Sequence, residues 1–411
     1  MRFLWMLVAS LASGQSFEQR GFLESAATLF PQSASNDGAH VVSQLLLRYD
    51  ASYKPYAWLK LSTVFDARFD SHRQFEREVR LDVADRRQLR PAFSLRRLSA
   101  TIHKGKWTAE LGRQFIRWGK TDILNPTDRF APKDFLSVID SDFLGVTAAR
   151  ATYENGGNTI DIVAQPIFTP SRGPILNQRW AALPDTAASI PIHDLGARYP
   201  GGVQYGVRAN HVGKGYEASV CFFEGYNHLP LYNFGISPIF DGQSVGVAVN
   251  IQRFFPKLRL YGGDFAMPLK WFTVKSEAAY FTTSTPQADE YVLYVVQLER
   301  TVKEWVFAAG YAGEAITHRG TSQLNFAPDR GLTKALLGSA SYTIDANRSL
   351  SSEIALRQSA AGIWARFSYS QLFGQHWRAT AGIAMIRGDV SDFLGQYRRN
   401  SYVSLALRYS F

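Results

Sequence analysis

The sequence predicts an all-β protein, folded as a transmembrane, antiparallel, up-and-down β-barrel of about 18 strands, within a range of 16–20. Three observations lead to this fold class. Residues 401–411 alternate between apolar and polar side chains, as do many segments before them. The chain starts with a short apolar stretch and has no later apolar run near the roughly 20 residues that a membrane helix needs. Aromatic residues make up 14% of the chain, yet its mean hydropathy is −0.16.

The C-terminal segment carries the clearest pattern. Val403, Leu405 and Leu407 share one parity, and Tyr409 and Phe411 continue it. Successive side chains of a strand point to opposite faces, so this segment has one apolar and one polar face. The apolar face ends in two aromatic residues, where a membrane barrel places an interfacial girdle. An edge strand of a soluble sandwich is the alternative, but the repetition of the pattern along the chain favours the barrel.

The first residues have the parts of a cleavable secretory signal. Arg2 supplies a positive charge, residues 3–11 are apolar, and residues 12–14 follow the small-x-small pattern of a cleavage site. We therefore predict a signal peptide over residues 1–14 and a single barrel domain over residues 15–411. A first buried strand or helix is the alternative. An exported chain without membrane helices is periplasmic, secreted or an outer-membrane barrel.

Charge and cysteine content narrow the function classes. The formal net charge is +10, from 45 Lys and Arg against 35 Asp and Glu. No basic helix or Gly-aromatic motif accompanies this charge, so we expect no nucleic-acid partner. Lipopolysaccharide phosphates and anionic solutes in the lumen are the remaining partners for a basic chain. Cys221 is the only cysteine, which excludes an intrachain disulfide and a cysteine-based zinc site, and we expect neither metal nor cofactor.

Strands of roughly ten residues alternate with tight turns and longer polar loops, as expected for hairpins that cross a membrane. Asn155-Gly156-Gly157 is the strongest turn signal because these residues tolerate positive φ. Predicted strands include residues 21–30, 41–53, 56–69, 92–103, 107–118, 143–154, 158–168, 203–212 and 216–226, later turns fall near residues 268, 301–303, 346–347 and 374, and the longer connections are 70–91, 119–142, 169–202, 318–330 and 388–399.

The strand count depends on residues 227–256. If this stretch is mostly loop, the barrel has 18 strands, and if it holds a hairpin turning at Asp241-Gly242, the barrel has 20. Both even counts place the two termini on the same, periplasmic side when short turns face the periplasm. We favour 18.

Strand parity predicts which charged side chains face the lumen. A Lys or Arg on the lipid face at mid-bilayer costs about 2–4 kcal/mol, so charges belong on the inward parity. By this rule the inward-facing charges are Arg48, Lys60, Asp161, Arg208, Glu217, Lys275, Glu277, Glu299, Glu314, Glu353, Arg357, Arg366 and Arg408. Both signs are present in similar numbers, which indicates a hydrated lumen of mixed charge.

The densest group of charges lies in residues 112–135. Alternation fails there, because Arg113 and Arg117 share the parity of lipid-facing Leu111, and a β-bulge near Gly112 or Gly119 would turn them inward. Arginines that face loop carboxylates would hold the loop across the pore. We therefore predict a constriction in loop 119–142 and a lid in the proline-rich loop 169–202. The candidate constriction residues are Arg113, Gln114, Arg117, Trp118, Asp122, Asp128, Arg129 and Asp134.

These residues carry a family resemblance. From Arg113 to Asp128 the pattern R-Q-x-x-x-W-G-x-x-D-x-x-N-P-x-D resembles a segment of poorly characterised porin-like barrels of Gram-negative outer membranes, including relatives of alginate-export channels. Residues 255–280 are similar to a later hairpin of such barrels. The resemblance implies an outer-membrane solute channel and no particular substrate. The motif positions that it carries over are Arg113, Gln114, Trp118, Gly119, Asp122, Pro126 and Asp128. A role for the motif in bracing the wall through buried ion pairs is the alternative.

The expected function is passive passage of small polar solutes across the outer membrane, with a weak preference for anions. A surface-exposed binding or structural barrel and a gated, substrate-specific exporter are the alternatives. An enzyme is not expected, since His193 and His228 are catalytic candidates by residue type only. A C-terminal strand ending in aromatic-x-Phe resembles the closing strand of outer-membrane barrels, so Phe411 is expected to engage the barrel-insertion machinery. Outer-membrane lipids, lipopolysaccharide and small solutes are the other expected partners, and a homotrimer is left open.

Overall fold

The computed structural model describes residues 16–77, 83–122, 124–182, 191–241, 244–322, 326–358 and 361–411, so the predicted signal peptide lies outside the described residues. Twenty-five strands are found there. They are β1 Ser16–Leu29, β2 Val41–Tyr56, β3 Leu59–Asp70, β4 Phe75–Glu76, β5 Arg90–Pro91, β6 Phe93–Lys104, β7 Trp107–Gln114, β8 Lys133–Asp134, β9 Asp142–Phe143, β10 Val146–Asn155, β11 Asn158–Gln165, β12 Ile192–Arg198, β13 Gln204–Gly213, β14 Tyr216–Tyr226, β15 Leu231–Asp241, β16 Ser244–Phe254, β17 Lys257–Pro268, β18 Thr273–Thr282, β19 Glu290–Val302, β20 Trp305–His318, β21 Ala335–Thr343, β22 Arg348–Arg357, β23 Gly362–Phe373, β24 Trp377–Gly388 and β25 Tyr402–Ser410. One 3-10 helix, Gly395–Asn400, precedes the last strand.

Eighteen of these strands form one closed antiparallel sheet. Each pairs with the next barrel strand along the chain, and β1 closes the sheet by pairing with β25, from Phe22 opposite Ser410 to Leu29 opposite Val403. Closure leaves no free sheet edge in the membrane, where an unpaired backbone group would be costly. The predicted fold class and the strand count of 18 are confirmed.

The favoured count of 18 strands assumed that the stretch between β14 and β17 is mostly loop, and this assumption was wrong. The stretch contains the long hairpin β15–β16, which stays out of the barrel wall. Instead β16 pairs in parallel with β12, so the three strands form a separate sheet, while β14 pairs directly with β17. The barrel therefore has 18 strands because this hairpin pairs with β12 and not with the wall, which strand patterning alone did not predict.

The barrel strands turn their apolar side chains outward, whereas strands of a soluble protein turn them toward the core. In β11, Ile160 and Ile162 are exposed to the exterior, whereas Asp161 and Val163 are buried inside. This alternation continues around the barrel and covers its outside with apolar side chains, as a lipid environment requires. Tryptophans close to the short turns form a girdle on this surface: Trp58, Trp107, Trp271, Trp305 and Trp377. Among the described residues no helix is long and apolar enough to cross a membrane.

Loops fold into the barrel from the end opposite this girdle. Ile116, Trp118 and Phe130, from the connection between β7 and β10, are fully buried against the inner wall of β10 to β19. Val138 and Trp180 pack against the wall of β19 to β24 in a second apolar cluster. Apolar side chains inside a membrane barrel cannot face lipid, so these clusters hold the inserted loops in place by burial.

Candidate constriction site

The inward-facing charges form a belt of cross-strand ion pairs around the barrel wall. Arg48 and Asp66 lie directly opposite each other on β2 and β3, as do Arg366 and Glu353 on β23 and β22. Six of the seven pairs join neighbouring strands, with signs that alternate around much of the circumference. The pairs of this charge belt are Arg408–Glu24, Arg48–Asp66, Arg97–Glu110, Arg150–Asp161, Arg208–Asp264, Lys275–Glu299 and Arg366–Glu353, with N–O distances of 2.6–2.9 Å.

The structure places all of the predicted lumen charges on inward faces of the wall, but not all of them reach the water of the lumen. Asp161 and Glu277 are 4% and 2% exposed because an inserted loop covers them. Glu314 and Arg357 bind loop residues Arg330 and Asp392. Lys60 lies on the inward parity of β3 with Ser62. The lumen is thus of mixed charge, with part of its charge used to hold loops.

Glu277 is the strongest attachment point of the inserted loop. Its Oε2 accepts hydrogen bonds from the backbone N of Lys120 at 3.1 Å and from the Oγ1 of Thr121 at 2.9 Å. Its Oε1 accepts from the backbone N and the Oγ1 of Thr127, both at 2.8 Å. Gly119 has φ +94°, and a Cβ there would lie 2.6 Å from the Glu277 carboxylate. A glycine is therefore needed for the loop backbone to approach the wall this closely.

Other polar groups of the loop bind the charge belt on both sides of this attachment. Trp118 donates its Nε1 hydrogen to Asp161 at 3.0 Å, and the Lys120 ammonium lies 2.7 Å from Asp264. On β18, two residues from Glu277, Lys275 binds Asp122 at 3.0 Å. The hydrogen bond with Glu299, together with that from Lys275, lowers the pKa of Asp122 to about 2.

The end of the loop reaches the opposite wall and then returns. Asp140 binds Arg366 at 2.5 Å and accepts a hydrogen bond from the Tyr402 hydroxyl. Asp142 then binds Arg96 at 2.7 Å and Arg68 at 3.3 Å, beside Asp66. Residues 117–122 and 124–142 therefore cross the lumen at the level of the charge belt.

The structure divides the eight candidate constriction residues into two groups. The side chain of Arg117 is 48% exposed and that of Asp122 is 64% exposed inside the barrel. The other six are mostly or fully buried. They are Arg113, Gln114, Trp118, Asp128, Arg129 and Asp134.

Arg113 is turned without the predicted β-bulge. The pairing of β7 with β6 and with β10 is regular along its length, and the predicted strand over 107–118 ends at Gln114. The backbone is redirected at Gly112, which has φ +113°. Arg113 then donates to Val83 O at 2.6 Å and to Asp85 at 3.2 Å.

A buried Arg–Asp network joins the predicted constriction loop to the predicted lid. Arg172, from the loop after β11, donates to Asp134 at 2.6 Å and to Asp85 at 2.5 Å. Arg90 donates to the same Asp134 at 2.8 Å. Although burial raises the pKa of Asp134, the two guanidinium groups outweigh it and hold that pKa far below its usual range. Breaking one member of such a buried network leaves an uncompensated charge, which costs about 3–5 kcal/mol.

Asp128 experiences the opposite balance. Arg117 binds it at 3.1 Å and the Trp118 N–H at 3.2 Å, but Arg117 also lies over the Phe143 ring, 4.0 Å from its centroid, and is half in water. Burial therefore dominates and raises the pKa of Asp128 to about 6. This carboxyl titrates near neutrality inside the constriction.

Several contributors were missed at the sequence level. Asp66 and Asp264 are buried partners of predicted arginines, and both could have been found as carboxylates on the inward parity of mid-strand positions. Thr121 and Thr127 gave no such signal because their role depends on the loop conformation. His228 is buried between Thr169 O and Arg129 O, at 2.7 Å from each, and so links loops. Among the residues that the structure describes, no group of three or more His, Cys, Asp or Glu could hold a metal ion.

Comparison with known proteins shows the fold. No family model matches the chain, and no curated protein matches it. Among solved structures, the BenF-like porin from Pseudomonas fluorescens Pf-5 has a TM-score of 0.55 and 8% identity, covering 97% of this chain and 98% of that one. OccAB3 of Acinetobacter baumannii has a TM-score of 0.53, 9% identity and coverage of 96% and 99%. The outer membrane protein opdK from Pseudomonas aeruginosa has a TM-score of 0.52, 6% identity and coverage of 96% and 99%. The chain thus has the fold of Gram-negative outer-membrane porins, while its resemblance to alginate-export channels stays a prediction.

Proposed function

We propose that the protein is an outer-membrane channel that lets small polar solutes pass at a constriction formed by residues 117–122 and 124–142. The observation that carries this proposal is the course of the loop, which crosses the lumen at the charge belt and binds it at Asp161, Asp264, Glu277 and Arg366. Passage next to the loop would be lined by side chains that are still in water. A loop that only closed the barrel would need no such lining.

The exposure of the belt pairs supports a preference for anions. The side chain of Arg48 is 26% exposed against 1% for Asp66, and that of Arg150 is 30% exposed against 6% for Asp161. The cation therefore faces the lumen water and the carboxylate lies behind it in these pairs. At β14 the balance reverses, since Glu217 is 38% exposed and its partner Lys120, on the loop, is 12% exposed. A wall with accessible arginines favours solutes that carry a negative charge.

The test is conductance and reversal potential of the refolded protein in a planar bilayer. Stable, salt-dependent current steps with a reversal potential that indicates anion preference are expected. Arg117→Gln should reduce that preference, because it removes the most exposed cation of the loop, while outward-facing Arg259→Gln serves as the matched control. Silence from correctly folded protein would refute the open channel and favour the surface-binding barrel or the gated exporter. Homotrimer formation and recognition of Phe411 by the insertion machinery stay predictions.

A further inference from the structure

Three arginines meet on the outside of the barrel, at the end where the long loops emerge. Arg387 is the last residue but one of β24, and Arg398 and Arg399 lie in the last turn of the 3-10 helix Gly395–Asn400. They line a concavity of about 560 Å³ together with Pro31, Gln32, Met385 and Ser401, and none of the described residues that line it is a carboxylate. This concavity is separate from the constriction and from the charge belt.

The concavity faces the membrane side of the wall. In β24 the inward parity is shown by Ala384 and Ile386, which are 3% and 0% exposed, so Arg387 lies on the outward parity with Ile383. The β24–β25 ladder ends at Ala384 opposite Tyr402, and the three arginines line the same concavity just beyond this end. The arginines therefore stand at the outer end of a lipid-facing strand.

These arginines differ from the arginines inside the barrel in lacking anionic partners. Within the part of the chain that the structure describes, neither Arg387 nor Arg399 forms an ion pair or a side-chain hydrogen bond, and both are exposed. Arg398 donates to Gly395 O at 3.3 Å and to no other described residue. The nearby Asp392 is bound to Arg357 and is not available to them. Three guanidinium groups without a counter-charge at one concavity form a strong site for a phosphate-bearing ligand.

The position of the arginines on the barrel indicates which kind of phosphate-bearing ligand they bind. Below the arginines the outward parity is apolar, with Leu29, Ile383, Val403 and Leu405 exposed at 38–56%. An arginine on the lipid face is costly at the bilayer midplane and nearly free of cost near the interface, where lipid phosphates lie. A ligand with acyl chains can cover the apolar strip while its phosphates bind the arginines.

We propose that Arg387, Arg398 and Arg399 bind the phosphate groups of a phosphorylated glycolipid of the outer leaflet, of the lipid A type. The proposal requires the barrel to lie in an outer membrane but does not depend on transport through it. A free phosphate ion shares the same recognition chemistry and lacks the acyl chains. The experiment therefore has to separate the headgroup from the lipid.

The test measures binding of lipid A that carries both phosphates to the refolded full-length barrel in detergent, by native mass spectrometry. Arg387→Gln/Arg399→Gln should weaken binding by about fivefold for each arginine, hence about 25-fold together, at the strength typical of a basic residue at an anionic lipid surface. Exposed Arg319→Gln, on another outer loop, should leave it unchanged. Arg387→Lys/Arg399→Lys keeps the charge and should retain most of the affinity.

Three probes decide the ligand class. Dephosphorylated lipid A should bind at least tenfold more weakly, phosphatidylglycerol should bind more weakly than lipid A, and inorganic phosphate should not displace lipid A. Equal binding of the dephosphorylated form, equal binding of phosphatidylglycerol, or full displacement by inorganic phosphate would each overturn the proposal. Wild-type affinity in the Gln double variant would overturn it as well. Retained heat-modifiable mobility shows that each variant is folded before binding is compared.

Discussion

Glu277→Gln tests directly whether Glu277 is the main attachment of the inserted loop to the barrel wall. The substitution keeps the shape of the side chain but replaces one acceptor oxygen with an NH2 donor. Glu277 accepts from three backbone N–H groups and two threonine hydroxyls of the loop, and four of these five hydrogen bonds are buried. Whichever way the glutamine amide is oriented, at least two of these donors face its NH2 group instead of an oxygen.

The size of the effect follows from those donors. A buried donor left without its acceptor costs about 1–3 kcal/mol, and the hydroxyls can turn away, so we take about 2–4 kcal/mol for the inserted conformation of the loop. Since 1.4 kcal/mol corresponds to a factor of ten, displaced loop conformations become roughly 30- to 700-fold more populated. The barrel wall keeps its backbone hydrogen bonds, so global unfolding should change little.

The assay is single-channel recording in a planar bilayer, with heat-modifiable mobility as the folding control. Glu277→Gln should increase open-channel noise and the frequency of steps with larger conductance. Glu24→Gln is the matched control, because Glu24 is also an inward-facing wall carboxylate and pairs with Arg408 of the wall rather than with a residue of the loop. If Glu277→Gln channels have wild-type noise and conductance, Glu277 does not hold the loop and the reasoning fails.

Three further predictions concern the loop and the barrel seam. Burial raises the pKa of Asp128 to about 6 from the ordinary 3.8, so the inserted loop is most stable below pH 4 and loses that stability as the pH rises through 6. Channel noise should therefore increase from pH 4.5 to 7.5, and Asp128→Asn should flatten this pH dependence. Arg113→Ala leaves Asp85 short of one buried cation, which should free the loop and change conductance, whereas unchanged current and selectivity would contradict an anchoring role. Gly21→Ala places a Cβ 2.6 Å from the Phe411 ring and 2.7 Å from a backbone oxygen of β2. The seam between β1 and β25 should therefore be destabilised by about 1–3 kcal/mol, measured as a lower urea midpoint of unfolding. An unaltered midpoint would show that the seam repacks without strain.

Strand parity was the most reliable guide at the sequence level, and the reason is geometric. A strand inverts its side chains at every residue, so lipid outside and charge inside leave a two-residue pattern that survives in the sequence, as in Ile160, Asp161 and Ile162. The same rule placed Arg366 inside. It failed at Arg113, where Gly112 redirects the chain through positive φ and parity no longer applies.

The composition of residues 112–135 predicted where the candidate site lies, but it did not predict the contacts within the site. The charges of residues 112–135 indicated a loop that binds the wall, yet which residue meets which wall position depends on distances across the lumen. Trp118 and Asp134 were expected in the constriction and are buried braces. The threonines that bind Glu277 could not have been chosen, since their hydroxyls matter only in the folded loop.

The sequence by itself determined the local order of this protein: alternating strands, tight turns at positions such as Gly156, and a closing strand that ends in Phe411. These features follow from steric and solvation rules that act on neighbouring residues. Only the tertiary structure decided that the hairpin β15–β16 stays outside the wall, that Arg113 is buried, and that Glu277 holds the loop. Those outcomes depend on contacts between residues far apart in the chain, whose energies exist only once the barrel has closed.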